Sequence, residues 1–463
     1  MQLISPADSI FLLGESREHP MHVGGLQLYS PPANAGEGFV RELYQSMLTH
    51  TEFQPTFRKH PATIFGGIAN VGWAFDDDVD LDYHLRRSAL PQPGRVRDLL
   101  ELVSRVHGTL LDRHRPLWEA YLIEGLNDGR FAVYTKVHHS LIDGVAALKL
   151  TERTLSEDPF DEGVRVPWDL PPRKRTRPPA AQSSGGLMSL PGLSSIAGTA
   201  GSLASMFPST LTLARAALVE QQLTLPFAAP RTMFNVNIGG ARRVAAQSWP
   251  VERIQRIKSA AGVTVNDAIL AMCSGALRSY LLEHGELPDR PLIAMVPVSM
   301  REDDDGAADP GGNQVGAVLC NLATDVEDPA RRLEVIAESM RTNKKVFTDL
   351  PRSQALALSA LNIAPLGLAV VPGYVSTTRP PFNIVISNVP GPRKPLYWNG
   401  SRLDGNYPFS IALDGQALNI TMASNGDNLD FGLVGCRRSV PHLQRLLGHL
   451  EDSLKDLERS VGA

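Results

Sequence analysis

The sequence predicts an α/β (α+β) protein with two domains, each built from a mixed β-sheet with flanking helices. The chain has 463 residues, which exceeds the usual length of one domain. Segments with the patterns of strands and of helices alternate in both halves. A stretch rich in proline and basic residues begins at Pro167 and separates the halves. These observations indicate two layered units joined by an irregular connector.

The composition is typical of a globular protein and gives no sign of nucleic-acid binding. Hydrophobic residues make up 43% of the chain and charged residues 20%, and the formal net charge is −4. The three cysteines, Cys273, Cys320 and Cys436, are far apart in the sequence, which favours a reducing compartment over a disulfide framework. Residues 1–8 lack the basic start and long apolar core of a signal peptide. We therefore expect a cytoplasmic protein.

In the first half, strands are predicted over residues 21–29, 118–124 and 131–137. A helix is predicted over residues 40–49. A second, amphipathic helix is predicted over residues 96–111, where leucine and valine recur at helical spacing. The turn-forming residues Asn127-Asp128-Gly129 join the last two strands.

The connector is assigned to residues 167–230, between an N-terminal domain at residues 1–166 and a C-terminal domain at residues 231–463. Prolines bracket a basic cluster at residues 173–177, which argues against a helix or strand interior. The basic cluster is interpreted as a solvated linker. Contact with anionic lipid headgroups or with a phosphate-bearing substrate is the alternative.

Two uncharged stretches, residues 178–214 and 353–378, are the segments best suited to lipid contact. A membrane span needs about 20 consecutive, predominantly apolar residues. The first stretch is too polar, and proline and glycine interrupt the second. Burial against the protein is the favoured interpretation, and a short surface helix that touches lipid is the alternative.

In the second half, helices are predicted over residues 251–261 and 266–283, with Thr264 or the Asn266-Asp267 pair as the cap of the second helix. Strands are predicted over residues 292–298, 382–389, 417–423 and 429–434.

The most informative motif is His138-His139-Ser140-Leu141-Ile142-Asp143-Gly144. It follows a buried strand, and successive side chains of a strand point to opposite faces, so His138 and His139 are predicted to have different surroundings. Gly144 is predicted to supply a backbone turn that other residues resist. A helical stretch is predicted to run from Val145 to about Leu155. Histidine and aspartate are costly to bury without partners, so this cluster indicates a reactive site or a structural network.

One histidine of this motif is suited to acyl transfer as a general base. A reference pKa of about 6.5 lets the neutral ring accept a proton near neutral pH. A hydroxyl activated in this way can attack a thioester directly, with no serine or cysteine nucleophile. Two alternatives stay open, a purely structural role and a metal site. A metal would need a third ligand from elsewhere, because the cysteines lie far from the motif.

Several segments resemble the bacterial wax ester synthase/acyl-CoA:diacylglycerol acyltransferase family over nearly the whole chain. The histidine motif alone occurs in other acyltransferases, whereas the combination of segments is very specific. Besides the motif, the matching segments are residues 6–12, 21–25, 75–84 and 90–94, Arg115-Pro116-Leu117-Trp118-Glu119, Val265-Asn266-Asp267, residues 297–301, Gly312-Asn313 and Ser387-Asn388-Val389-Pro390-Gly391-Pro392.

The resemblance implies the chloramphenicol-acetyltransferase-like fold, with an active-site channel between two related domains. It also implies transfer of a long-chain acyl group from acyl-CoA to diacylglycerol, giving triacylglycerol, or to a long-chain alcohol, giving a wax ester. Acyl-CoA is consumed as a substrate, so no cofactor or metal is expected. A peripheral association with the inner face of the membrane or with lipid inclusions refines the expected cytoplasmic location.

The resemblance also implies roles for individual residues. His139 is the expected general base, with His138 as support. Asp143 is expected to orient the loop by pairing with Arg301, whose alternatives are solvent exposure and contact with the CoA phosphates. Gly144 is expected to shape the turn. Asn266 is a candidate polar residue of the site, with helix capping as its alternative.

Two departures from the family pattern leave the acceptor preference and the local packing open. Ser424-Asn425 stands where the family usually has Ser-Tyr, and Gly435-Cys436 replaces a common Ala-Asp. Two other functions are kept as alternatives. One is a related, condensation-like acyltransferase with another acyl donor or acceptor, and the other is a lipid-binding protein with little turnover.

Overall fold

The computed structural model describes residues 2–64, 69–171, 224, 226–299, 315–350, 355, 358–359, 362 and 373–463. The basic cluster at 173–177, the uncharged stretch 178–214, Arg301 and Gly312-Asn313 lie outside these residues, as does most of the stretch 353–378.

The elements of the first half, in chain order, are β1 (Gln2–Leu3), α1 (Pro6–Gly14), β2 (His22–Ser30), α2 (Phe39–Leu48), β3 (Lys59–Ile64), β4 (Ala69–Phe75), α3 (Leu81–His84), β5 (Leu85–Ala89), α4 (Val96–His107), β6 (Trp118–Glu124), β7 (Phe131–His138) and α5 (Gly144–Glu152).

The second half follows the connector. Its elements, in chain order, are β8 (Arg242–Pro250), α6 (Val251–Ala261), α7 (Val265–Glu283), β9 (Ile293–Ser299), β10 (Val315–Asn321), α8 (Pro329–Asp349), α9 (Tyr374–Thr377), β11 (Ile384–Val389), β12 (Tyr397–Trp398), β13 (Ser401–Phe409), β14 (Leu418–Asn425), β15 (Asn428–Cys436) and α10 (Arg445–Val461).

Two six-stranded mixed sheets dominate the fold, and we call each sheet with its helices a lobe. The sheet of the first lobe has the order β12-β13-β2-β7-β6-β5 and is antiparallel except at the β5–β6 pair. The sheet of the second lobe has the order β10-β9-β11-β14-β15-β8 and is parallel at β9–β11 and β11–β14. A small sheet of β1, β4 and β3 lies beside the first lobe. The predicted α/β (α+β) class with two mixed sheets is therefore confirmed.

Strands β12 and β13 come from the second half of the chain but belong to the first lobe. β13 runs antiparallel to β2, with Tyr407 opposite Leu26 and Phe409 opposite Gly24. The predicted limits of the domains, 1–166 and 231–463, thus follow the chain order and not the sheets. The difference arises because pairing between distant strands leaves no local pattern in the sequence.

The segment Asp430-Phe431-Gly432 on β15 fastens the crossing strand β13 to the second lobe. The buried Asp430 carboxylate accepts hydrogen bonds from the backbone N–H of Asn406 (2.6 Å), from Ser248 Oγ (2.6 Å) and from Asn425 Nδ2 (3.0 Å). Burial raises the pKa of Asp430 to about 6, although these donors oppose the rise. At Gly432, a Cβ atom would lie 1.9 Å from the Pro408 carbonyl oxygen, so the close approach requires glycine.

The two faces of the first sheet pack against different partners. Ala132 and Tyr134 of β7 belong to a large core that extends into the second lobe, where it includes Phe431. Phe131 and Val133 face the opposite way, into a core within the first lobe. This alternation decides where the side chains that follow β7 point.

No single helix within the described residues is long and apolar enough to cross a membrane. Helices α6 and α7 satisfy that test of length and composition only as a pair, and they are bent by 104° where they meet. In α7, the residues from Asp267 to Leu277 are buried in the protein core.

Candidate active site

The backbone of both motif histidines is fixed at the end of β7. The N–H of His138 donates to the carbonyl of Leu117 (3.0 Å), and the N–H of His139 donates to the carbonyl of Met21 (2.9 Å). His138 also lies opposite His22 of β2 in the sheet register. The neighbouring strands therefore hold both residues before any side-chain contact is considered.

The His138 ring is fully buried and both of its nitrogens have neighbours. Nδ1 lies 2.6 Å from Ser140 Oγ and accepts the backbone N–H of Ser140 (3.2 Å). Nε2 lies 3.4 Å from Oε1 of the buried Glu15. Because Nδ1 is an acceptor, the ring proton belongs on Nε2, which faces the carboxylate. This arrangement is suited to support, because burial keeps both ring nitrogens away from a substrate hydroxyl.

The His139 ring lies in different surroundings and is partly exposed. It stacks on Phe11 of α1, with ring centroids 4.1 Å apart and an interplanar angle of 19°. Burial lowers the pKa of His139 below its ordinary value, although the charge of Asp143 opposes the shift. A neutral imidazole with a lowered pKa is a competent proton acceptor at neutral pH.

Asp143 is the N-cap of α5. Its Oδ1 accepts the backbone N–H of Ala146 at 2.7 Å, which satisfies one of the free amides at the start of the helix. The cap fixes the loop between His139 and α5. Its expected partner, Arg301, lies outside the described residues.

The prediction that Gly144 shapes a turn is wrong. Gly144 is the first residue of α5, and its φ is not positive, in contrast to ten other glycines of the described chain. Regular helical geometry is open to any residue, so the loop shape does not require glycine here. A Cβ atom at Gly144 would meet no other atom within 4 Å, so the missing side chain leaves open space beside the motif.

Helix α5 brings the motif against the second lobe. Val145 and Leu148 pack on Val389 at the end of β11 and on Ala423 near the end of β14. The turn after β11 runs close to β14, where a Cβ atom at Gly391 would lie 2.1 Å from the Ser424 carbonyl oxygen. The matched segment Ser387 to Pro392 therefore lies beside the motif, at the contact between the lobes.

Asn266 does not cap α7. The cap is Thr264, whose Oγ1 accepts the N–H of Asp267 (3.2 Å), while Asp267 Oδ2 accepts the N–H of Thr264 (2.9 Å). This reciprocal arrangement is a capping box. Asn266, the second residue of the helix, is partly exposed and is not needed for the cap, so the capping alternative for Asn266 is wrong.

The Arg115 to Glu119 segment supports the motif strand from the side. Leu117 and Trp118 are buried, and Trp118 stacks on His84 at 4.5 Å and on Trp168 at 5.0 Å. Glu119 forms a buried ion pair with Lys136 of β7 (3.1 Å). These contacts agree with a structural role in strand entry and core packing.

Three residues at the site had no role assigned from the sequence: Phe11, Glu15 and Ser140. Phe11 is part of the matched segment at residues 6–12, so the resemblance contained a signal for it. Ser140 lies within the histidine motif itself, whereas Glu15 belongs to no matched segment and is revealed only by its three-dimensional contacts.

Comparison with known proteins identifies the family. The family described as the wax ester synthase/diacylglycerol acyltransferase catalytic domain matches residues 4–269, and the WS/DGAT C-terminal domain matches residues 311–458. A Mycobacterium tuberculosis protein named as a probable diacylglycerol O-acyltransferase is 67% identical over the full length of both chains. The solved wax ester synthase/diacylglycerol acyltransferase of Marinobacter aquaeolei VT8 is 40% identical over the full length of both chains, with a TM-score of 0.80.

The fold is also shared with more distant enzymes. The structural alignment with the first condensation domain of the CDA synthetase covers 99% of this chain and 95% of that domain, with a TM-score of 0.53 and 17% identity. Fold and site thus define a two-lobed acyltransferase. The chain belongs to the wax ester synthase/diacylglycerol acyltransferase family, and it is an enzyme of the diacylglycerol O-acyltransferase and wax ester synthase type.

Proposed function

We propose that the enzyme transfers a long-chain acyl group from acyl-CoA to the hydroxyl of diacylglycerol, of a long-chain alcohol, or of both, with His139 as the general base. The observation that carries the proposal is the contrast between the two histidines. The His138 ring is fully buried, with Nδ1 bonded to Ser140 and Nε2 facing Glu15, whereas His139 is partly exposed and has a lowered pKa.

The proposed acyl transfer needs one proton acceptor, His139, next to the thioester of acyl-CoA. Neutral His139 takes the hydroxyl proton of the acceptor as its oxygen attacks the thioester carbonyl. A C–O bond forms, and the carbonyl oxygen becomes an oxyanion. Collapse of this tetrahedral intermediate breaks the C–S bond, and protonated His139 returns the proton to the CoA thiolate. The products are an ester and free CoA, with no covalent enzyme intermediate.

Stabilisation of the oxyanion is the second requirement. One donor at the oxyanion contributes roughly 3–4 kcal/mol. Asn266 stays our candidate for a polar residue of the site, since its side chain is free of the capping box of α7. Arg301 stays the proposed partner of Asp143, in addition to the helix cap that Asp143 already provides.

The substrates are proposed from the relatives and from the chemistry together. Diacylglycerol O-acyltransferase and wax ester synthase are the names of relatives that this chain matches over its full length. Both acceptors are apolar alcohols, which fits the aromatic Phe11 beside His139. We propose a cytoplasmic enzyme that contacts a membrane or a lipid inclusion at its surface, where such acceptors accumulate.

The test is release of CoA from palmitoyl-CoA with diacylglycerol, with hexadecanol, or with both in competition. We expect CoA release to depend on an acceptor, and His139→Ala to lower kcat by about 10²- to 10⁴-fold. His114→Ala is the matched control, because the His114 side chain is 87% exposed and lies outside the motif.

Three outcomes would contradict the proposal. A folded His139→Ala variant with normal turnover would exclude His139 as the base. Turnover only with an acyl carrier protein as the donor would favour a condensation-like enzyme. Lipid binding without ester formation from any acceptor would favour a lipid-binding protein.

A further inference from the structure

Glu15 carries a buried carboxylate that faces the ring of His138. It follows α1 directly, and its side chain is 2% exposed. Oε2 accepts from Arg113 Nε at 2.9 Å, while Oε1 accepts the backbone N–H of Met21 at 3.3 Å and lies 3.4 Å from His138 Nε2. Burial acts to raise the pKa of Glu15, but the contact with His138 and the charge of Arg113 outweigh it and lower the pKa.

We propose that Glu15 is a positioning residue that holds both motif histidines for catalysis. The first route runs through the ring of His138. Nδ1 of His138 accepts from Ser140, so the proton on Nε2 points to Glu15. The carboxylate thereby stabilises the tautomer that the Ser140 N–H also favours, and in this tautomer Nδ1 is free to accept from Ser140.

The second route runs through the backbone of Met21. Glu15 holds the N–H of Met21, and the carbonyl of Met21 accepts the N–H of His139 at 2.9 Å. The segment around Met21 enters β2 next to β7, so a shift of Met21 moves the attachment point of His139. Glu15 is thus separated from the proposed base by one residue on each route.

The partner of Glu15 holds the backbone next to the residue whose ring stacks on His139. Arg113 Nη2 donates to the carbonyl of Leu12 at 2.6 Å, next to Phe11 on α1. The Glu15–Arg113 pair therefore ties together the end of α1, the start of β2 and the end of β7. All three segments contact His139 or its neighbours, and Glu15 itself touches no reacting atom.

This inference rests on the proposed role of His139, and its test separates the two claims. Glu15→Ala should lower kcat by about tenfold to hundredfold, with the KM for acyl-CoA within about twofold, since small displacements of a catalytic group have effects of this size. Glu15→Gln keeps an oxygen that can accept from Met21 or His138, so it should recover part of the lost kcat. Glu18→Ala is the matched control, because Glu18 lies on the same loop and is exposed.

A spectroscopic readout distinguishes positioning from a general loss of structure. With ¹⁵N-labelled histidine, the ring correlations of His138 should show the Nε2–H tautomer in the wild type and a smaller share of it in Glu15→Ala. Wild-type kcat in folded Glu15→Ala, or an impaired Glu15→Ala with an unchanged His138 signature, would overturn the inference.

Glu15→Gln and His139→Ala distinguish the remaining results of this test. If Glu15→Ala does not fold, Glu15→Gln is measured in its place. Wild-type kcat in Glu15→Gln, together with the wild-type tautomer signature of His138, would support a role for the acceptor oxygen at this position. A kcat for Glu15→Gln no higher than that of folded Glu15→Ala would overturn that role. Normal turnover of His139→Ala would overturn the proposed base, whereas an inactive His139→Ala with a normal Glu15→Ala would overturn only the positioning role.

Discussion

His138 and His139 are neighbours in the chain, but their contacts give them different chemistry. His138 has Ser140 on one ring nitrogen and Glu15 on the other. His139 has an aromatic ring on one face and the charge of Asp143 nearby. The alternation of a strand produces this division, because consecutive side chains of β7 face the large core shared by both lobes and the core within the first lobe.

The pKa of His139 sets the acid limb of the activity profile. Only the neutral ring accepts a proton, and burial lowers its pKa, so kcat/KM should decline only below the ordinary pKa of histidine. Asp143→Asn removes the charge that raises this pKa, and asparagine still caps a helix. We expect the decline to move to lower pH in Asp143→Asn, measured as kcat/KM from about pH 4.5 to 8. A decline that moves to higher pH would contradict this account.

Helix α5 connects the chemistry of the motif to the second lobe. It starts at Gly144 directly after the Asp143 cap, and its Val145 and Leu148 pack on β11 and β14. The sequence predicted a turn residue at Gly144, but the structure shows an ordinary helical position with open space around it. The absence of a side chain at Gly144 thus leaves open space beside the motif, and the backbone there does not use a conformation that only glycine adopts.

Gly144→Ala tests this interpretation of α5. The new methyl group meets no atom within 4 Å, and alanine restricts the unfolded chain more than glycine does. The free energy of unfolding should rise by about 0.4–1 kcal/mol. Denaturant unfolding measures this change, and a loss of stability would mean that the backbone needs glycine after all. A loss of activity in the stable variant would indicate that the substrate uses the open space.

The elements with strong local patterns were predictable, and those that depend on distant partners were not. Residues 118–124 and 251–261 were predicted with the bounds that the structure shows for β6 and α6. The predicted helix 96–111 ends earlier, at His107, because Gly108 is its C-cap. β13 was not assigned, since Asp404, Gly405 and Pro408 give it the composition of a turn. Its burial between β2 and β15 stabilises it as a strand.

The candidate site was predictable to a similar degree. The motif and its likeness to a family were sufficient to select His139, His138 and Asp143. The contacts of Glu15 with His138 and of Phe11 with His139 join residues far apart in the chain, so no local pattern contains them.

On the scale of the whole molecule, the crossing strand β13 joins the two lobes. Asp430 binds the backbone of β13 from the second lobe, and Gly432 allows the close contact with Pro408. The large core extends across both lobes without interruption. The site at the contact between the lobes therefore depends on this attachment.

Gly432→Ala tests the attachment directly. The added methyl group would lie 1.9 Å from the backbone oxygen of Pro408, so the strands must separate. We expect a loss of about 1–3 kcal/mol in the free energy of unfolding. Gly448→Ala, at an exposed position in α10 with no atom within 4 Å, is the control and should not be destabilised. Equal unfolding of the two variants in denaturant would refute the role assigned to Gly432.

The shared sheet also limits how this chain can be divided or recombined. An N-terminal half produced alone would lack β12 and β13 and would leave β2 as an uncovered edge, which is a template for pairing with other chains. A C-terminal half alone would carry β13 with no sheet to join. Exchange of halves between homologues must therefore keep residues 397–409 matched to the β2 that they pair with, and the useful unit of exchange is the sheet and not the continuous segment.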